Sequence, residues 1–341
     1  MKKKVLVFLL TLALAFSFTA CNKGAAKTGE LKEIKIGFPS SGNGFPGGAY
    51  GAAVENNFLN EFLNPLGYKA VNEGFVGAAP AIHEALVARA LDYVVYAGMA
   101  ADLSKANGIE HTLISVTQWG TTWKMIATTS SGIKTAADLK GKKVAYQRGA
   151  SPHMYLLNVL KDSGLQFSDI IPLNTTIPDG MVGLASGNID ATVVAAGQER
   201  QLVDEGRAII IHVQFNADEA VFFEPSVFIA RTDFHKKNPE VTIAVQKALL
   251  KGREWIKEDP TRYFNLVAEK NMIPLETVLQ TANFNIDELI PLNLDDKYIN
   301  SLKDILQFLK DNELIKGSID YASWMDTTVA ERALKEYESG R

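Results

Sequence analysis

Cysteine is almost missing from this chain: one residue, Cys21, among 341. A lone thiol excludes internal disulfides and the multi-cysteine zinc and iron sites. Histidine is sparse as well, and His83, His111, His153, His212 and His235 show neither HxH nor HExxH spacing, so no metal is expected. After the first 20 residues no apolar run reaches the roughly 18 residues of a membrane span. Basic residues are not in excess, 35 against 39 acidic for a net charge of −4, which argues against a nucleic-acid partner. A GxSxG elbow and a P-loop are both missing, and spacing brings no two carboxylates together. Binding is therefore the expected activity, without catalysis or cofactor.

What is present begins at the N-terminus. Lys2 to Lys4 precede a charge-free apolar run from Val5 to Phe18, and Phe18-Thr19-Ala20-Cys21 ends it. A basic region, a short apolar region and a small-residue junction describe a secretory signal. Cysteine directly after the small residues resembles the lipobox of bacterial lipoproteins. That implies a leader of residues 1–20, lipid attachment at Cys21, and a polar tether over 21–32. The rest of the chain is then expected outside the cytoplasm, anchored to a membrane in the periplasm or on an outer face.

From Glu33 strands and helices alternate. Glu33–Phe38 reads as an alternating strand, and Tyr93–Tyr96, Lys142–Tyr146, Ile189–Val194 and Ala208–Ile211 as further strands. Helical periodicity fills the gaps, the α/β pattern. Beyond residue 235 the chain turns helical, starting at Asn238-Pro239, and these helices are expected to cover the first lobe. Two runs, Trp123–Thr128 and Ala220–Ile229, read as crossings between two lobes. The expected division is 33–127 and 224–341 for one lobe and 128–223 for the other, hinged over a cleft.

Strand-to-glycine-to-helix corners carry the expected site. In Gly149-Ala150-Ser151-Pro152-His153, Ser151 is placed as a cap and Pro152 at the first helical position, with Gly164 closing the helix. Such a corner aims free N–H groups and a helix dipole at one point, which suits an anion. The same geometry also describes a capped helix that binds nothing. Gly42, Gly44 and Gly47 form a formal GxGxxG interrupted by Pro46, read as a ligand-facing loop. Gly98-Met99, Trp119-Gly120-Thr121 and Gly197-Gln198 are further corners, and corners at the carboxyl ends of strands are where open α/β sheets bind ligands. Asp179 is read as a helix cap.

The segment Ala137–Ala145 (ADLKGKKVA) followed by Gly149–His153 resembles the solute-binding proteins for aliphatic sulfonates, taurine and nitrate, the SsuA/TauA/NMT1-like family. Pro178-Asp179, Leu184–Ala191, Phe228–Phe234 and Lys237–Glu240 resemble later segments of the family, in order. The resemblance implies a two-lobe periplasmic-binding-protein fold of type II, closing on one small organic anion that passes to an ABC permease and its ATPase. It implies ligand contacts at Ser41, Gly42, Asn43, Gly98, Met99, Gly120, Thr121, Gly149, Ala150, Ser151 and His153; the corners themselves add Trp119, Gly197 and Gln198, and a monomer is expected. A receptor for a TRAP-type transporter and a non-transporting sensor share the plan. A thiamine-pyrimidine synthase shares the fold, but its cysteine-rich iron chemistry does not fit one cysteine. Many relatives carry Trp-Asp-Pro where Ala196-Gly197-Gln198 stands here. The missing acid argues against an aminosulfonate, and the smaller side chains leave room for a bulkier ligand. Lys124, Arg148 and Arg200 could neutralise a second acidic group of the ligand, and the surface is the place expected for each.

Overall fold

Alternation of lysine and glutamate with buried Ile34 and Ile36 makes β1 (Lys32–Pro39), whose inner face then packs on helices. The structure, a computed structural model, describes residues 30–40, 45–120, 123–213, 224–280 and 285–340. The leader, Cys21, Ser41, Gly42, Asn43 and Thr121 therefore lie outside the described residues. Ten strands form two five-stranded mixed sheets within one compact unit, Lys32–Arg341.

The first sheet takes the order β2 (Tyr68–Phe75), β1, β3 (Tyr93–Ala97), β10 (Pro225–Arg231), β4 (His111–Trp119). The second takes the order β7 (Ile171–Asn174), β6 (Lys143–Tyr146), β8 (Ala191–Ala195), β5 (Trp123–Thr128), β9 (Ala208–Val213). Each has three parallel strands followed by one antiparallel strand in fourth place, β10 in the first sheet and β5 in the second. The α/β architecture expected from the alternation is the one observed.

The strand pairing corrects the expected crossings. Trp123–Thr128 does not bridge: it is β5, paired along its length with β8 and β9 of the second sheet. Of the second run, Ala220 to Phe223 lie outside the described residues, and Pro225–Arg231 belongs to the first sheet as β10, between β3 and β4. Both runs are the first strand after the chain passes from one sheet to the other. They read as crossings because each is a short extended run beside a break, Ser130-Ser131-Gly132 after the first and Pro225 within the second.

Helices α1 (Gly48–Glu55), α2 (Phe58–Leu63), α3 (Ala78–Val87) and α4 (Gly98–Ala106) accompany the first sheet. The second carries α5 (Ser151–Asp162), α6 (Ile177–Ala185) and α7 (Arg200–Asp204). The C-terminal run comprises α8 (Thr232–Lys237), α9 (Pro239–Glu258), α10 (Pro260–Asn271), α11 (Leu275–Gln280), α12 (Ile286–Leu289), α13 (Asp296–Asp311), α14 (Tyr321–Trp324) and α15 (Thr327–Ser339). It returns to the first sheet: Val241, Val245, Leu249 and Ile256 of α9 share a core with Ile34, Ile36 and Phe228. Leu302, Ile305 and Leu309 of α13 cover the other face with Trp324. The second sheet has its own core around Val144, Tyr155, Leu156 and Val193. Among the described residues no helix is long and apolar enough to cross a membrane.

Candidate functional site

Four strand-to-helix corners face one another. β1 leads through Pro46 and Gly47 into α1, β3 runs straight into α4, β6 leads into α5, and β7 leads into α6. Residues from all four helix starts, Gly48, Ala100, Ser151 and Pro178, line a single cleft of about 290 Å³ between the two sheets. Its walls are ring faces and aliphatic groups: Phe38, Tyr50, Val95 and Tyr96 from one side, Trp123 and Ile177 from the other. The Tyr50 hydroxyl is turned to Asn72 Oδ1 at 2.7 Å and the Tyr96 hydroxyl to Ser104 Oγ at 2.9 Å, so both rings present carbon to the cleft.

No charged side chain is among the described residues lining this cleft; its polar groups are hydroxyls and amides such as Thr117, Gln118, Gln147 and Gln198. Thr117 is 3% exposed, and its Oγ1 has no hydrogen-bond partner among the described residues. A buried hydroxyl without a partner costs free energy unless something else satisfies it. A positive field comes instead from the backbone, because each helix start carries roughly half a unit charge. The arrangement suits a singly charged anion with an apolar body.

The named corner residues divide by position. Ala150, Ser151 and Gln198 line the cleft. Gly98, Met99, Trp119, Gly120, Gly149, His153 and Gly197 lie outside its described lining. Gly98 permits a close approach: a Cβ there would stand 2.8 Å from the Pro225 carbonyl and 2.5 Å from Leu302 Cδ2. Met99 is fully buried, and Trp119 packs against Tyr298 with ring centroids 5.0 Å apart. His153 turns away, against Tyr146 at 4.8 Å, and burial followed by the charge of Arg148 lowers its pKa to about 4. Gly149 has φ +74°, which makes the tight turn into α5.

Ser151 does not cap α5. Ala150 holds the cap position without a side-chain hydrogen bond. Glu224 is 4% exposed and takes the Met99 N–H on Oε1 at 2.6 Å, while its carbonyl takes the Gly120 N–H at 3.2 Å. Glu224 thus joins the first turn of α4 to the turn at Gly120. Burial raises its pKa to about 7, although Ser151 and the Met99 N–H pull the other way. Sequence reading did not single out Glu224, since an acid before Pro225 carries no local signal. Asp179 does serve the start of α6: Thr176 accepts its N–H at 3.2 Å and donates to its carboxylate at 2.7 Å.

Further links cross between the halves. Gln147 Nε2 donates to the Gly77 carbonyl at 3.3 Å, Met154 of α5 enters the core of the first sheet, and Arg200 bonds Glu276 and Thr277 of α11. Lys124, expected at the surface, is only 12% exposed and pairs with Glu199, itself 5% exposed. Glu199 also accepts the Gly197 N–H at 2.7 Å. Among the described residues no group of three or more potential ligands could hold a metal ion.

Two α/β sheets, each with a single antiparallel strand in fourth place, enclosing a cleft at their strand ends define the class: a type II periplasmic-binding-protein fold. Within that class the chain belongs to the NMT1/THI5-like family, whose family model matches residues 79–263. It is 23% identical over 345 residues to a putative aliphatic sulfonates-binding protein of Bacillus subtilis, covering 99% of each chain. The alkanesulfonate-binding protein SsuA of Xanthomonas axonopodis pv. citri, bound to MOPS, has the same fold at 20% identity, with a TM-score of 0.71 over 87% of this chain and 99% of that one. The desulfurization enzyme DSZB also shares it, at 16% identity and a TM-score of 0.69 over 90% of this chain and 99% of the other.

Proposed function

We propose that the protein is a solute receptor that captures a small organic anion, a sulfonate or carboxylate with an apolar body, and presents it to an ABC permease. The convergence of four helix starts on a cleft with an uncharged lining carries the reading. The sulfonate-binding relatives agree with it, and the aromatic walls add room for a bulky body. In this reading the first sheet with the C-terminal helices is one lobe and the strands from 123 to 213 build the other. A lipid at Cys21 holds a monomeric receptor near its permease, outside the cytoplasm. Binding rather than turnover is the proposed activity, because the lining offers no charged side chain among the described residues.

A thermal-shift and calorimetric panel of alkanesulfonates, arylsulfonates, carboxylates and nitrate tests it. Ser151→Asp, which puts negative charge at the start of α5, is expected to weaken the best ligand at least tenfold, about 1.4 kcal/mol. If no member of the panel binds and native mass spectrometry of freshly purified protein shows no bound molecule, the reading fails.

A further inference from the structure

Gln198, Glu199 and Arg200, consecutive residues leading into α7, serve three different neighbours. Gln198 lines the cleft, while Glu199 turns inward to Lys124 of β5 and accepts the Gly197 N–H at 2.7 Å. Arg200 reaches across to α11, which packs on the core of the first sheet through Val278 and Leu275. There its guanidinium donates to the Thr277 hydroxyl and to the Glu276 carboxylate, while Nε holds Asp204 of its own helix at 3.1 Å. A guanidinium serving two partners at once fixes an orientation as well as a distance. A Cβ on Gly197 would stand 3.1 Å from Ile273 Cδ1, so glycine lets the two halves close at this corner.

The contacts on the other face of the first sheet are of a different kind. Met154 of α5 is 3% exposed within that core, a Cβ on Gly149 would stand 3.2 Å from Leu103 Cδ2, and Gln147 donates to the Gly77 carbonyl. None of these contacts uses a charged side chain, so salt leaves them in place. Between α7 and α11 the bond is an ion pair whose side chains are 28% and 67% exposed, open to screening. An exposed ion pair contributes less than a buried methionine side chain. The α7–α11 flank is therefore the one that parts first.

We propose that Arg200 is a clasp over the cleft: its bonds to Glu276 and Thr277 hold the Gly197–Gln198 corner against the first sheet's half, and parting them opens the route by which a bound anion leaves. This rests on the anion-receptor reading above and adds what sets the ligand's residence time. Arg200 is in this sense a positioning residue. Glu276 is not among the described residues that line the cleft, so it acts on the ligand through Arg200.

Stopped-flow displacement of 1-hexanesulfonate and of benzenesulfonate gives the dissociation rate in the parent, in Glu276→Gln and in Glu276→Lys. Glu276→Gln is expected to speed dissociation about two- to fivefold, the size of an exposed ion pair. Glu276→Lys, which sets like charges together, should speed it further. Salt gives the sharper reading. From about 20 to about 500 mM sodium chloride the screening length falls from roughly 20 to roughly 4 Å. Over that range dissociation should quicken in the parent, stay nearly flat in Glu276→Gln and slow in Glu276→Lys. In an Arg200→Gln background Glu276→Lys should change the rate little, whereas an effect confined to α11 would persist there. Small-angle X-ray scattering of the empty protein should give Glu276→Lys a larger radius of gyration than the parent at low salt, converging at high salt. Dissociation rates that Glu276→Lys leaves unmoved, or salt slopes of one sign in all three proteins, overturn the proposal. An empty Glu276→Lys protein no larger than the parent overturns it too. A larger radius with neither sulfonate bound upholds the clasp and takes down the sulfonate reading instead.

Discussion

The Gly48 N–H donates to the hydroxyl of Tyr263 at 2.7 Å, and this bond ties the first turn of α1, one wall of the cleft, to α10 of the C-terminal layer. Both partners are buried, and burial raises the Tyr263 pKa to about 12, so the phenol stays neutral at any working pH. Tyr263→Phe keeps the ring and orphans the amide. A loss of about 1–3 kcal/mol is expected, read as a lower urea midpoint with an unchanged m-value.

Lys124 and Glu199 form a nearly buried ion pair under the second sheet's side of the cleft. Breaking such a pair strands a charge, so Lys124→Met is expected to cost about 3–5 kcal/mol. Changing both to apolar residues, Lys124→Met with Glu199→Leu, should recover a large part of that loss. Denaturant unfolding of the two variants beside the parent measures it; equal stabilities of the single and double variants would contradict the account.

The Thr117 hydroxyl, without a partner among the described residues, predicts a trade between stability and binding. Thr117→Val removes a buried polar atom that has nothing to bond, so the empty protein should melt at the same temperature or higher. Its affinity for the best ligand should fall. A variant that loses stability and binds unchanged would mean that the hydroxyl serves the fold.

Stability should peak near pH 6.5, and the sign follows from which state holds the proton. Burial lowers His83 and His153 from 6.5 to about 4, with the Arg148 charge adding to the effect on His153, and burial likewise holds His111 well below its usual value. The unfolded chain takes these protons first, so their contribution is complete above pH 6.5 and is lost toward pH 4, at about 1.4 kcal/mol per group per pH unit. Glu224 works in the opposite sense. Burial raises it from 4.5 to about 7, so its contribution is complete below 4.5 and is lost as pH climbs to 7. Urea unfolding from pH 4.5 to 8 should show the peak. Glu224→Gln should steepen the acid limb and flatten the fall between 6.5 and 7.

Much of the fold is legible in the chain because its signals act over a few residues. Alternation fixes β1, Pro152 and Gly164 bracket α5, and Pro239 starts α9. The two-sheet α/β class and the family follow from such segments taken in order. Glycine breaks likewise pointed to Ala150, Ser151 and Gln198, which line the cleft. Tyr50 and Thr117 line it too, and nothing local marks them. Trp123 reads as the start of a crossing until its pairing with Ala195 of β8 is seen.

The sequence by itself determined the elements, their order and the corners where helix dipoles begin, since caps, prolines and periodicity are settled within a turn or two. Only tertiary structure decided who meets whom. Glu224 reaches the Met99 amide across 125 positions, and Gly48 reaches Tyr263 across 215. Those pairings depend on which strand lies beside which, and on burial deep enough to make a single carboxyl hold its proton near neutrality. No short stretch of residues encodes either condition.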